Sequence, residues 1–226
     1  MTVELRDGVW HLRLRGVNAY LLEDDGSLTL VDAGLPWQAG AVRRQLEVAG
    51  FSMRDVDRVL VTHCDVDHVG GLRSLLDTAG DVAVYCGARD ADVLTGRRKP
   101  PLDNRKGLFQ RVTGLLAPDV EATVEPVEDG DEIGGFRAVH APGHTPGHTV
   151  YVHESMATAL LGDLVRESDG EFELPPKWLC YDRGEARASV DRVLERAPDF
   201  EVGCVGHGDP LRRRARDALS AVASDR

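Results

Sequence analysis

Leu60-Val61-Thr62-His63-Cys64-Asp65-Val66-Asp67-His68-Val69-Gly70-Gly71 is the stretch from which the rest of this chain can be read. Val59-Leu60-Val61 is a short apolar run of the kind that forms a buried strand, and Gly70-Gly71 ahead of Leu72-Arg73-Ser74-Leu75-Leu76 marks a helix opening. Two imidazoles and two carboxylates therefore fall at a strand-to-helix turn. In the extended part, His63 and Asp65 are two apart and project to one side, while Asp67 and His68 follow where the chain turns. Packed so closely without a cation, these groups would cost several kcal/mol in repulsion and desolvation. The pattern is that of a metal site, and imidazole with carboxylate suits zinc, manganese or iron.

Working outward, the N-terminal third alternates like an antiparallel sheet. Val9–Leu14, Val17–Leu22 and Leu28–Asp32 read as three strands, with Asp24-Asp25-Gly26 turning the last hairpin. Trp37 to Ala49 has helical spacing and stops at Gly50, and Val56 to Thr62 is the strand that carries the central stretch. Asp81–Cys86 is a further strand, so hairpins have given way to strand-helix-strand units. Residues 96–117 break the pattern with Arg97-Arg98-Lys99-Pro100-Pro101 and show no clean period, which fits either a flap or a plain connection.

The second half restarts at Ala122-Thr123-Val124 and continues through Phe136–Ala141, Thr149–Val152 and Ala159–Leu161. Polar groups again end apolar runs: Pro142-Gly143-His144-Thr145-Pro146-Gly147-His148, then Leu161-Gly162-Asp163, then Gly206-His207-Gly208. Residues 170–184 form a second irregular stretch, and Asp182 is placed to cap a helix from Glu185 to Arg196. Lys177 and Tyr181, with Trp178, are candidate substrate contacts, since a cation and aromatic rings in such a loop would grip an anionic or apolar group. Leu211–Arg216 is expected to open a terminal helix with its arginines in solvent.

The order of these motifs is similar to that of the metallo-β-lactamase superfamily, whose His-x-His-x-Asp-His signature the central stretch resembles with Asp65 in place of the second His. The resemblance runs from Asn18 to His207. It implies an αββα sandwich of two mixed sheets flanked by helices, and one domain over residues 1–226 with insertions at about 96–117 and 170–184 beside the pocket. It further implies that His63, Asp65 and His144 hold one metal, that Asp67, His68 and His207 hold another, and that Asp163 bridges. Asp32 and His148 would support these ligands from behind, although on sequence alone the first is a turn residue and the second begins a strand.

The function implied by the resemblance is that of a hydrolase in which two divalent metal ions, zinc before iron or manganese, supply a bridging hydroxide, with Asp67 as the catalytic residue that orients it. Esters, lactones or thioesters are the expected small-molecule substrates, as in glyoxalase II-like and lactonase-like members. Asp65 also resembles the carboxylate of the flavodiiron branch, so a di-iron redox protein acting on dioxygen or a related small molecule stands as the alternative. A regulatory metal-binding domain and a nuclease rank below both.

Composition narrows the partners. A net charge of −11 over 226 residues argues against nucleic acid, whose phosphates require a basic surface. No segment is apolar for long enough to cross a bilayer and no leader is expected, so the expected location is cytoplasmic, with no membrane partner. Nothing excludes a homo-oligomer. Cys64, Cys86, Cys180 and Cys204 lack paired spacing and are expected as free thiols, Cys64 turned away from its ligand neighbours by strand alternation.

Overall fold

The first sheet grows outward from the strand that feeds the central stretch. In the computed structural model, which describes residues 1–102, 104–115 and 123–224, seven strands lie in chain order. They are β1 (Thr2–Arg6), β2 (Val9–Arg13), β3 (Asn18–Asp24), β4 (Ser27–Val31), β5 (Arg58–Val61), β6 (Ala83–Gly87) and β7 (Val124–Val127). The first four are antiparallel, and β4 to β7 run parallel, with Val31 opposite Leu60 and Val61 opposite Cys86. Helices α1 (Ala39–Ala49), α2 (Val66–Val69), α3 (Leu72–Leu76), α4 (Ala88–Leu94) and α5 (Arg105–Gly114) occupy the connections.

The second sheet contains β8 (Glu132–Ile133), β9 (Phe136–His140), β10 (Thr149–His153) and β11 (Thr158–Gly162). After a hairpin of β12 (Arg166–Ser168) and β13 (Glu171–Glu173) and helix α6 (Arg183–Arg196), β14 (Val202–Val205) joins β11 in parallel, and α7 (Ala215–Ser224) closes the described chain. The spatial order is β14-β11-β10-β9-β8.

Alternation along these strands builds three apolar layers. Val59 and Val61 face α1 and α3, whereas Leu60 between them turns inward to meet Tyr151, Leu160 and Phe136 of the second sheet. Val150 and Val152 face the layer under α6 and α7. The arrangement is the αββα sandwich expected from sequence, two mixed sheets flanked by helices. Its parallel strands β4, β5, β11 and β14 all end on one rim, where open α/β sheets place their ligands.

Several boundaries differ from the sequence reading. The additional strand β1 precedes the expected three. The strand placed at Ala122 begins at Val124, Ala122 itself lying outside the described residues. The terminal helix starts at Ala215, because Leu211 is drawn into a bridge with Gly203 and Arg214 takes a left-handed φ of 56°. The largest departure is the segment 96–117, which carries α5. Its buried residues are Lys106, Gly107 and Gln110, while Leu108, Phe109 and Val112 are more than half exposed. A helix whose polar face points inward has no apolar inward stripe for periodicity to detect.

Among the described residues, no helix is long and apolar enough to cross a membrane. Leu160 is 1% exposed in the layer between the sheets. Leu160→Ala should lower unfolding free energy by about 3 kcal/mol, the cost of lost transfer plus a residual cavity. Urea denaturation would show this as a lower midpoint at unchanged m-value.

Candidate metal centre

Each chain segment at the rim delivers a ligand-type side chain as it leaves its strand. The turn after β5 presents His63 and Asp65, α2 presents Asp67 and His68, the loop before β10 presents His144, and the ends of β11 and β14 present Asp163 and His207. All seven converge. Donor atoms of His63, Asp65 and His144 lie within 4.8 Å of one another, as do those of His63, His68 and Asp163, and those of Asp67, His68 and His207. Asp163 occupies the centre: its Oδ2 is 3.2 Å from His207 Nε2, 3.5 Å from His144 Nε2 and 4.0 Å from His63 Nε2, and its Oδ1 is 3.4 Å from His68 Nε2.

Behind these groups a hydrogen-bonded frame fixes which ring nitrogen faces the centre. Asp32, held in a left-handed turn at φ 61°, accepts from Thr62 N at 2.9 Å and Thr62 Oγ1 at 2.7 Å and lies 2.8 Å from His68 Nδ1. His68 thereby presents Nε2 inward. His207 Nδ1 is 2.7 Å from the Gly16 carbonyl, which orients that ring in the same way. His148 Nε2 accepts from the Asp163 backbone N–H at 3.1 Å, so this buried ring positions Asp163 and is not a ligand itself. Gly206 matters by what it lacks: a Cβ there would stand 2.1 Å from Asp163 Oδ1.

Three supporting groups have no sequence signal of their own. Asp90, 1% exposed in the first turn of α4, accepts from Cys64 N, Thr145 Oγ1 and Gly147 N at 3.0, 2.7 and 2.7 Å. It ties the central stretch to the loop of the other half. Asn18 donates to the carbonyls of Val205 and Gly208 at 3.0 and 2.7 Å, holding the loop of His207. Lys106 is 2% exposed, with its ammonium in contact with Asp65 Oδ2 and 3.3 Å from His144 Nε2. One turn along α5, Gln110 donates to Asp65 Oδ1 at 3.0 Å and accepts from the Tyr181 hydroxyl at 2.6 Å.

The charges are tightly coupled. Burial opposes ionisation of Asp163, but the neighbouring His68 and His207 outweigh it and hold its carboxyl well below the usual range. Burial likewise opposes charge on His207, yet Asp163 and Asp67 raise its pKa to about 10. Asp65 is also well below the carboxylate range, burial being outweighed chiefly by Lys106. Burial and then the Lys106 charge lower His144 to about 4, so its ring is neutral.

The donor sets differ in fitness for a cation. His68 Nε2 and Asp163 Oδ1, and His63 Nε2 shared between the two sets, are buried and have no hydrogen-bond partner among the described residues, while the Asp67 and His207 side chains beside them are 30% and 34% exposed. Buried, converging donor atoms that make no hydrogen bond, with His68 Nε2 and Asp163 Oδ1 3.4 Å apart, are what a bound ion would satisfy. The set of His63, Asp65 and His144 already has a cation among its members, the Lys106 ammonium.

A cleft of about 830 Å³ opens above Lys106. Lys177, Trp178 and Tyr181 line it with Lys106, the seven ligand-type residues lying outside its lining, and the Tyr181 hydroxyl is turned towards Gln110. Arg105, Arg183 and Arg187 add further positive charge, with Asp182 the acidic member of the lining.

Comparison with known proteins agrees with this geometry. Residues 12–207 match the family model described as Metallo-beta-lactamase superfamily. YflN of Bacillus subtilis (strain 168), named a probable metallo-hydrolase, is 27% identical over 248 residues that cover 98% of this chain and 92% of that protein. Rv2300c of Mycobacterium tuberculosis, likewise named a probable metallo-hydrolase, is 30% identical over 264 residues covering 92% and 83%. Among solved structures, the Rm3 metallo-beta-lactamase superposes with a TM-score of 0.74 at 19% identity, over 99% of this chain and 91% of that one. TTHA1623, solved in a di-iron-bound form, gives 0.67 at 26% identity over 92% of each chain. With a family match that spans most of the sequence, this chain belongs to the metallo-β-lactamase superfamily.

Proposed function

We propose that the chain is a metal-dependent hydrolase that cleaves an ester, lactone or thioester bearing an anionic group. The observation that carries the reading is the pair of buried, unpartnered donors, His68 Nε2 and Asp163 Oδ1, set beside the half-open Asp67 and His207. A divalent ion held there, zinc before iron or manganese, would lower the pKa of a water towards neutrality and supply hydroxide at neutral pH.

The chain's own groups do the rest. Asp32 and the Gly16 carbonyl keep His68 and His207 in register, and Asp67, on the open side, is placed to orient the attacking water and take its proton. A thiol nucleophile has little support, since all four cysteines are free and buried and burial pushes the Cys64 thiol well up. The substrate's negative charge is inferred from Arg105, Lys177, Arg183 and Arg187 in the cleft, a local excess of cations in a chain of net charge −11.

A second reading, a di-iron redox protein acting on dioxygen or a related small molecule, draws on the di-iron-bound state of TTHA1623 and on the extra carboxylate Asp65. Native iron together with oxygen consumption and no ester turnover would select it.

Asp67→Ala should lower kcat/KM by about 1,000-fold on whichever ester, lactone or thioester the wild type turns over, with the circular dichroism spectrum retained. Undiminished turnover would refute the assigned role. Stripping the ion with a chelator should lower Tm by roughly 6–12 °C, the equivalent of about 3 kcal/mol of linked binding, and added zinc should restore it. Scanning calorimetry reads both changes. For an anionic ester, raising salt should increase KM several-fold while a neutral isostere is unaffected, and equal behaviour of the two would remove the argument from the cleft's charge.

A further inference from the structure

Lys106 stands where one ion of a two-ion centre would have to be. Its ammonium pairs with Asp65 Oδ2 and lies 3.3 Å from His144 Nε2, against two of the three members of the donor set formed by His63, Asp65 and His144. We propose that this ammonium is a built-in cation that replaces one metal ion, so that the chain loads a single divalent ion, around Asp163 with Asp67, His68 and His207. The inference rests on the hydrolase reading only in taking that second donor set to bind an ion.

The placement of Lys106 is specified by its surroundings. Asn104 caps α5 by accepting from Gly107 N at 2.8 Å. Gly107 lets the helix settle against the loop before it, since a Cβ there would come within 1.8 Å of the Pro101 carbonyl oxygen. One turn on, Gln110 holds the other oxygen of Asp65 and is itself held by Tyr181. Both carboxylate oxygens of Asp65 are therefore engaged by α5, whereas His68 Nε2 and Asp163 Oδ1 have no partner among the described residues. His63 Nε2 also makes no hydrogen bond among the described residues, and it is shared between the two donor groups, 3.5 Å from Asp65 Oδ2 and 4.0 Å from Asp163 Oδ2.

The identity of residue 65 fits the same account. A carboxylate offers an ammonium a full opposite charge and two acceptor oxygens, while an imidazole at that position would offer one lone pair and no charge. Asp65 and Lys106 act as a matched pair.

The test is a count of zinc. Wild-type protein stripped by a chelator, equilibrated with excess zinc chloride and desalted should retain one zinc per chain by elemental mass spectrometry. Cobalt(II) titration should reach its absorbance end point at one equivalent. Lys106→Ala, and the double variant Asp65→His with Lys106→Ala, should retain two, with folding checked by circular dichroism. Two zinc ions in the wild type would overturn the inference and leave the hydrolase reading intact. One ion in the wild type and still one in both folded variants would also overturn it, because the ammonium would then not be what keeps the second ion out. No ion in the wild type would overturn both, and the wild-type count stands even if a variant does not fold.

Discussion

Burying like charge at the junction of two sheets is the constraint on which this structure turns. Asp65, Asp67 and Asp163 meet at one rim, Asp65 and Asp163 at 8% and 7% exposure. At an effective dielectric of about 20, two unit charges ~4 Å apart interact by about 4 kcal/mol, so three uncompensated carboxylates would cost a large part of a domain's net stability. Compensation comes from two directions. Imidazoles meet Asp67 and Asp163, and the ammonium of α5 meets Asp65.

The frame behind the ligands explains why the site is rigid enough to keep donors unpaired. Asp32 sits in a left-handed conformation that few non-glycine residues adopt, and three hydrogen bonds hold it there. Asp90 performs the equivalent task across the halves, with three donors from two separate loops. Neither touches the centre of the site. Each sets the direction of a backbone or ring that does, and loss of either would strand buried donors at about 1–3 kcal/mol apiece.

How much of this was legible in the sequence depended on whether a residue's role left a local pattern. The sandwich was legible because its parallel strands are apolar runs that each end in a polar residue, as at Val61-Thr62-His63 and Leu161-Gly162-Asp163. All seven ligand-type residues are brought to one rim in the way their motif order implied. Asp90 carries no such mark, since an acidic residue in a helix's first turn is common for reasons of the helix dipole alone. Lys106 was hidden more thoroughly. It lies in a basic stretch that reads as solvated, on a helix whose apolar residues point outward, so hydropathy assigns it to the wrong side. The clue was indirect: Asp65 in place of an imidazole changes the charge of its site, and a compensating cation had to come from somewhere.

The two halves cannot form the site separately. His63, Asp65, Asp67 and His68 come from the first sheet and its connections, whereas His144, Asp163 and His207 come from the second. Tyr151 of β10 donates to the Val61 carbonyl at 3.2 Å, and Thr149 N donates to the Thr62 carbonyl at 2.9 Å, immediately before His63. These bonds fix the relative height of the sheets at the residues that precede the ligands. A shift of one sheet along the other would break them and separate Asp163 from His63 and His68 together. An ion around Asp163 would in turn favour the docked arrangement, because its ligands are contributed by both halves. Binding and sheet docking would then be parts of one equilibrium, and the apolar layer of Leu60, Tyr151 and Leu160 would contribute to the affinity for an ion it does not touch.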